Sequence, residues 1–238
     1  LQSVRRFVLL MALLMLPSLV QAQAPGSVVE GSLSLGPKVL PLPAGPWRVL
    51  HLGVGDGRTS DLLVPTRFHR AVLVQERGGR AAAVIVAQAA QEVGVFWEPH
   101  GVCFNEGALA RHVVSAVRAA LDCRGLVVLA ARRQPGQAGY LDALYDEGQR
   151  RPGWLPPYWI SSQFVISETM HYLNVEYRMV PPAFAPGTTG GTTLAEGSRV
   201  PVPQALIQQL DAWGAQARSE LRRGLYGRQP AAPLPSLF

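Results

Sequence analysis

The chain has 238 residues, of which 48% are hydrophobic and 16% charged, and a formal net charge of +6. This composition excludes an intrinsically disordered chain, whose low hydrophobicity could not support a core. Arginine carries the basicity, Lys38 being the only lysine. No run of five basic residues occurs, and basic and aromatic residues do not interleave, so nucleic acid is not the expected partner.

The first segment reads as an address. Arg5 and Arg6 precede the apolar run Phe7–Leu16, Pro17 and Ser18 break it, and Val20-Gln21-Ala22 places small residues before a cleavage point. That layout predicts a secretory signal peptide over 1–22, cut between Ala22 and Gln23. The apolar stretch is shorter than the ~20 residues of a membrane-spanning helix, so a retained anchor is the weaker alternative and no transmembrane span is expected in the mature chain. Cleavage would remove Arg5 and Arg6, lower the charge from +6 to +4, and deliver the protein to the periplasm or beyond.

Residues 27–182 are expected to form one α+β domain. The alternation of Trp47, Val49 and His51 predicts a strand with those three on one face, followed by a turn at Asp56-Gly57 and a short return strand over 60–64. Ala71–Glu76 and Arg80–Val86 flank Gly78-Gly79. Adjacent glycines allow positive φ at both central turn positions, which predicts a tight hairpin, and its doubly apolar arms place it centrally in a sheet. Leu109, Val113, Val117, Ala120 and Leu121 recur at helical spacing and predict a helix over 105–121, with a short strand at 126–130 beyond it. A second helix is expected over 138–150, with Leu141, Leu144 and Tyr145 inward.

A second hairpin is expected over 159–180, with His171, Leu173, Val175, Tyr177 and Met179 on the buried face and Asn174, Glu176 and Arg178 toward water. Thr188–Thr193 marks 185–199 as a linker. Residues 203–226 carry the amphipathic stripe Leu206, Leu210, Trp213, Ala217, Leu221 and Leu225, and the Pro-rich tail 229–238 is expected to be disordered. The predicted architecture is a mainly antiparallel sheet built from two hairpins, with two or three packed helices.

Cys103 and Cys123 are the only cysteines, and an even count in an exported chain points to a disulfide. The rivals are free thiols or zinc held by His100, Cys103, His112 and Cys123, at spacings that match no compact zinc module. Gly53-Val54-Gly55-Asp56-Gly57 lacks the third glycine of a dinucleotide fingerprint, since Arg58 stands there, and reads as a plain turn. Gly-x-Ser-x-Gly, Ser-x-x-Lys and His-Glu-x-x-His are absent, and no cofactor motif appears. His171 reads as a core histidine with one hydrogen-bond partner. Trp97, Glu98 and His100 form the candidate ligand loop.

The stretch Leu40-Pro41-Leu42-Pro43-Ala44-Gly45-Pro46-Trp47-Arg48-Val49 resembles the "LPxGxW" opening of an uncharacterised family of exported proteobacterial proteins. The similarity extends in order over residues 33–182, with the Val/Ala-rich hairpin, the Cys pair and the late strand Tyr172–Met179; Pro46 is an insertion in the motif. The resemblance implies fold order and export, and carries no activity.

The function expected from these readings is an exported, non-catalytic module that binds an envelope component or a protein. Two alternatives stand beside it. One is a hydrolase or transferase with a site near Glu98, His100 and His112. The other is a membrane-surface protein acting through helix 203–226.

Overall fold

A computed structural model describes residues 23–58, 65–90, 97, 100–118, 120–136, 138–180 and 201–237. The expected signal peptide, the return strand at 60–64, Glu98 and the linker 185–199 lie outside them.

Among the described residues ten strands occur in chain order: β1 (Val28–Val29), β2 (Ser32–Leu35), β3 (Lys38–Pro41), β4 (Trp47–Arg58), β5 (Pro65–Arg77), β6 (Arg80–Ala90), β7 (Ala110–Val117), β8 (Ala120–Ala130), β9 (Tyr158–Glu168) and β10 (His171–Met179). Two α-helices accompany them among these residues, α1 (Asp142–Arg150) and α2 (Gln204–Leu225). Eight strands form one antiparallel sheet in the order β1-β4-β5-β6-β10-β9-β8-β7, and β2 and β3 form a separate hairpin. The α+β architecture and mainly antiparallel sheet match the expectation. The sheet is larger than two hairpins: two meanders, β4-β5-β6 and β7-β8-β9-β10, join through the β6–β10 pairing.

Gly78 and Gly79 take φ of 58° and 73°, closing the β5–β6 hairpin in the middle of the sheet as the Gly-Gly pair requires. The β9–β10 turn is equally short, with Thr169 at φ 42°.

The expected helix over 105–121 is instead a hairpin, with Ala110–Val117 pairing against the first part of β8. The steps of four between Leu109, Val113, Val117 and Leu121 satisfy a strand's period of two as well as a helix's 3.6. The β-branched valines and the eleven-residue pairing of β8 with β9 decide for strand. The supposed apolar stripe is not a core face: Val113, Val114 and Val117 are exposed on this edge strand. The expected strand at 126–130 is the second half of β8.

Asp56-Gly57 makes no turn; β4 runs through it, pairing Asp56 with Arg67. A bulge between Val49 and His51 shifts the register. His51 is thereby opposite Val72, and not on the face of Trp47 and Val49 as the alternation suggested.

Side chains alternate between the two faces of the sheet. On the α2 face, Leu73, Ile85, Phe164, Val175 and Tyr177 join Trp47, the β2–β3 hairpin and the stripe of α2 in one continuous core. Gly224 lets α2 lie against β3; a Cβ there would sit 1.9 Å from the Val39 carbonyl oxygen. Charge fixes the same contact. Buried Asp122 on β8 accepts from Arg218 Nε at 2.6 Å and Arg222 Nη1 at 2.5 Å, while Arg124 Nη1 donates to Asp211 Oδ1 at 2.5 Å. The 229–238 tail, expected to be disordered, has Leu234 and Leu237 buried in this core, and Pro235 accepts from the Trp213 indole at 3.1 Å.

The other face, here the disulfide face, has two separate cores. At one end Val72, Val74, Val84 and Val86 pack against α1, Trp154 and Trp159. At the other end Phe68, Val165 and Tyr172 pack against Trp97, Val102 and the Cys103–Cys123 bridge. The expected inward residues of the 138–150 helix, Leu141, Leu144 and Tyr145, are buried in the first of these.

Candidate functional site

Between the two cores of the disulfide face runs a polar belt set by register. Arg70 on β5 stands opposite Gln88 on β6, which stands opposite Asn174 on β10. In the next row Glu176 faces Gln163, and beyond it Arg178 faces Ser161. The expectation that Asn174, Glu176 and Arg178 all meet water is corrected at Arg178. It is only 5% exposed, and its Nε and Nη2 donate to Glu176 Oε2 at 2.9 and 2.8 Å.

The glycine-rich segment of β4 supplies one wall. Gly53 pairs with Arg70, and Gly55 has no side chain to keep the guanidinium away: a Cβ there would lie 2.4 Å from Arg70 Nη1. Arg70 Nη2 donates to the Asp56 carbonyl at 3.0 Å. Its guanidinium lies 5.2 Å from the Tyr140 ring centroid and 5.8 Å from that of Phe68, held by cation–π attraction. Arg70 Nε is buried without a hydrogen-bond partner, and among the described residues the side chain forms no ion pair.

Among the described residues the neighbouring titratable groups do not compensate that charge. Burial, then Arg70, lowers the pKa of His51, so the imidazole is neutral at neutral pH. Burial, then Glu176, raises that of Tyr140, which stays a phenol. Its ring lies 6.2 Å from that of His51. Glu176 is engaged by Arg178. The belt thus offers one preorganised cation, a neutral imidazole, a phenol and the amides of Gln88, Gln163 and Asn174. Such a set can pair with an anion and hydrogen-bond hydroxyl groups; among the described residues of the belt there is no activated nucleophile.

The residues singled out in the sequence fall elsewhere. Cys103 and Cys123 are bonded, with Cα atoms 5.2 Å apart, tying a short 3-10 turn to the middle of β8. Trp97 is buried and stacks on Tyr172 at 4.3 Å, and His100 Nε2 lies 2.8 Å from the Tyr172 hydroxyl. Within the candidate ligand loop Trp97 therefore packs inward on the disulfide face, while His100 stays exposed at its edge. His112 is on the α2 face, its Nε2 2.8 Å from Asp211 Oδ1. The sheet separates it from His100. Among the described residues no group of three or more His, Cys, Asp or Glu could hold a metal ion. His171 Nδ1 lies 2.5 Å from Lys38 Nζ, a buried lysine.

The helix proposed for a membrane surface has its apolar stripe in the core and Arg218 and Arg222 paired with Asp122. Among the described residues no helix is long and apolar enough to cross a membrane.

No family model, curated protein or solved structure matches this chain. Sequence reasoning missed Arg70, Gln88 and Tyr140 because they come from three elements and meet only through register. The available signal was a charge inside an apolar run, Arg70 before Ala71-Val72-Leu73-Val74.

Proposed function

We propose that the protein is an exported, non-catalytic binding module whose ligand surface is the polar belt centred on Arg70. The ligand class is an acidic, hydroxyl-rich envelope component, such as a sugar acid: a carboxylate for Arg70 and hydroxyls for the Gln88, Gln163 and Asn174 amides. The observation that carries this reading is the half-buried Arg70 guanidinium, oriented by the Asp56 carbonyl and Tyr140 and without a carboxylate partner among the described residues. Such preorganisation lowers the cost of binding. The disulfide and the resemblance of the Leu40–Val49 segment to exported proteins support the address. The separation of His100 from His112 removes the geometric support for a hydrolase or transferase built on them.

The test is an NMR titration of the labelled protein with glucuronate and, in parallel, with neutral glucose. The expected result is saturable shifts at Arg70, Gln88 and Asn174 with glucuronate only, weakened at least about tenfold in Arg70→Ala. Equal responses to both sugars, or shifts confined to other surfaces, would overturn the reading.

A further inference from the structure

At the far end of the disulfide face, beside the β5–β6 turn, lies a cavity of about 400 Å3. Its walls include Ala81, Ala82, Trp154 and Leu155, and its rim carries Arg77 and Arg80. It is separate from the Arg70 belt and shares no residue with it. The volume is within the ~300–1,000 Å3 of small-molecule sites.

Two features give the cavity a chemistry. Arg77 and Arg80 are direct cross-strand partners next to the Gly78-Gly79 turn. Like charges facing each other across a ladder destabilise it, and among the described residues neither arginine forms an ion pair. The neighbouring arginines differ: Arg48 and Arg151 are both held by Glu76 and Glu147. Glu76 is thus already occupied and does not neutralise the rim. The second feature is Trp154. It is 2% exposed and lies under the Arg151 guanidinium at 5.2 Å, so its indole is a fixed apolar wall of the cavity.

We propose that this cavity binds a single-chain anionic amphiphile, with the acid group between Arg77 and Arg80 and the alkyl chain against Ala81, Ala82, Trp154 and Leu155. The anion relieves the repulsion of the facing arginines, and the chain packs along the apolar wall. A free fatty acid and a single-chain phosphate ester share this chemistry.

Calorimetry with octanoate, decanoate, decyl phosphate and decanol, below micelle formation, tests the proposal on the intact protein. One-to-one binding of the acids is expected, tightening about fourfold per added methylene until the cavity is full, which is about 0.8 kcal/mol per CH2. Preference for decanoate or for decyl phosphate identifies the headgroup source. The double variant Arg77→Gln/Arg80→Gln loses at least about tenfold for the acids and keeps its decanol response. Ala82→Leu, which fills the cavity, weakens acids and alcohol alike, with an unchanged circular dichroism spectrum as the control for folding. Binding that does not saturate, that is equal for decanol and decanoate, or that survives both variants would overturn the proposal.

Discussion

The two faces of the sheet solve different problems. The α2 face has one continuous core, crossed by a 22-residue helix, a hairpin and the C-terminal tail, and its charges are matched, Asp122 by Arg218 and Arg222. The disulfide face has two smaller cores with polar groups between them, and three of its cations, Arg70, Arg77 and Arg80, have no carboxylate among the described residues. One covalent bond ties down part of what packing does not cover. The contrast teaches where stability and binding reside. A face whose donors and charges are satisfied specifies the fold, and a face with oriented but unsatisfied groups is where the proposed ligand would bind.

The comparison breaks most visibly if the α2 face is disturbed. Asp122→Ala leaves Arg218 without its carboxylate and Arg222 with Glu168 alone, and is expected to cost about 3 kcal/mol in denaturant unfolding. Gly224→Ala comes next. Alanine gains about 1 kcal/mol in helix propensity, but its Cβ would meet the Val39 backbone at 1.9 Å, so a net loss of about 2 to 3 kcal/mol is expected. The matched change on the other face, Gly55→Ala, meets only the Arg70 side chain and no backbone. It is expected to leave the unfolding free energy within about 0.5 kcal/mol of wild type while displacing Arg70 and weakening glucuronate.

Opening the disulfide sharpens the contrast within one molecule. The two cysteines are 20 residues apart, and replacing both with alanine is expected to cost about 3 kcal/mol. The loss of protection, read by hydrogen exchange, should concentrate in β7, β8 and the turn at 101–103, and leave the α2–β3 contact slow to exchange.

The smallest effect concerns the clasp that holds α1. Hydrogen bonds from Arg151, then Arg48, hold Glu76 at about 2, below its ordinary 4.5. A carboxylate whose folded pKa is depressed contributes stability above its unfolded value and loses it as pH falls. The Glu76 contribution is therefore complete above about 4.5 and vanishes as pH drops toward about 2. Glu76→Gln should flatten wild-type acid sensitivity across that window by less than about 1 kcal/mol, because the pair is solvent-screened.

Much of the framework was legible in the chain. Gly78-Gly79 favours a turn with two positive φ angles, the Leu206–Leu225 stripe predicts an amphipathic helix, which docks on the core, and a single pair of cysteines suggests a bridge. Residues 105–121 were not legible, because a step of four fits helix and strand alike, and the pairing that decides between them comes from β9. The bulge after Val49 was silent too, and it moves His51 to the face that carries the belt. The site itself is a product of register. Arg70, Gln88 and Asn174 are scattered in sequence and adjacent only once β5, β6 and β10 pair.

The most direct measurement is the equilibrium unfolding of Arg70→Ala beside wild type, in the absence of any ligand. If Arg70 is a binding group held ready at the expense of stability, its removal leaves the unfolding free energy unchanged or raises it. A loss of about 2 kcal/mol or more would make Arg70 a structural strut, and would contradict the assignment of the disulfide face to binding.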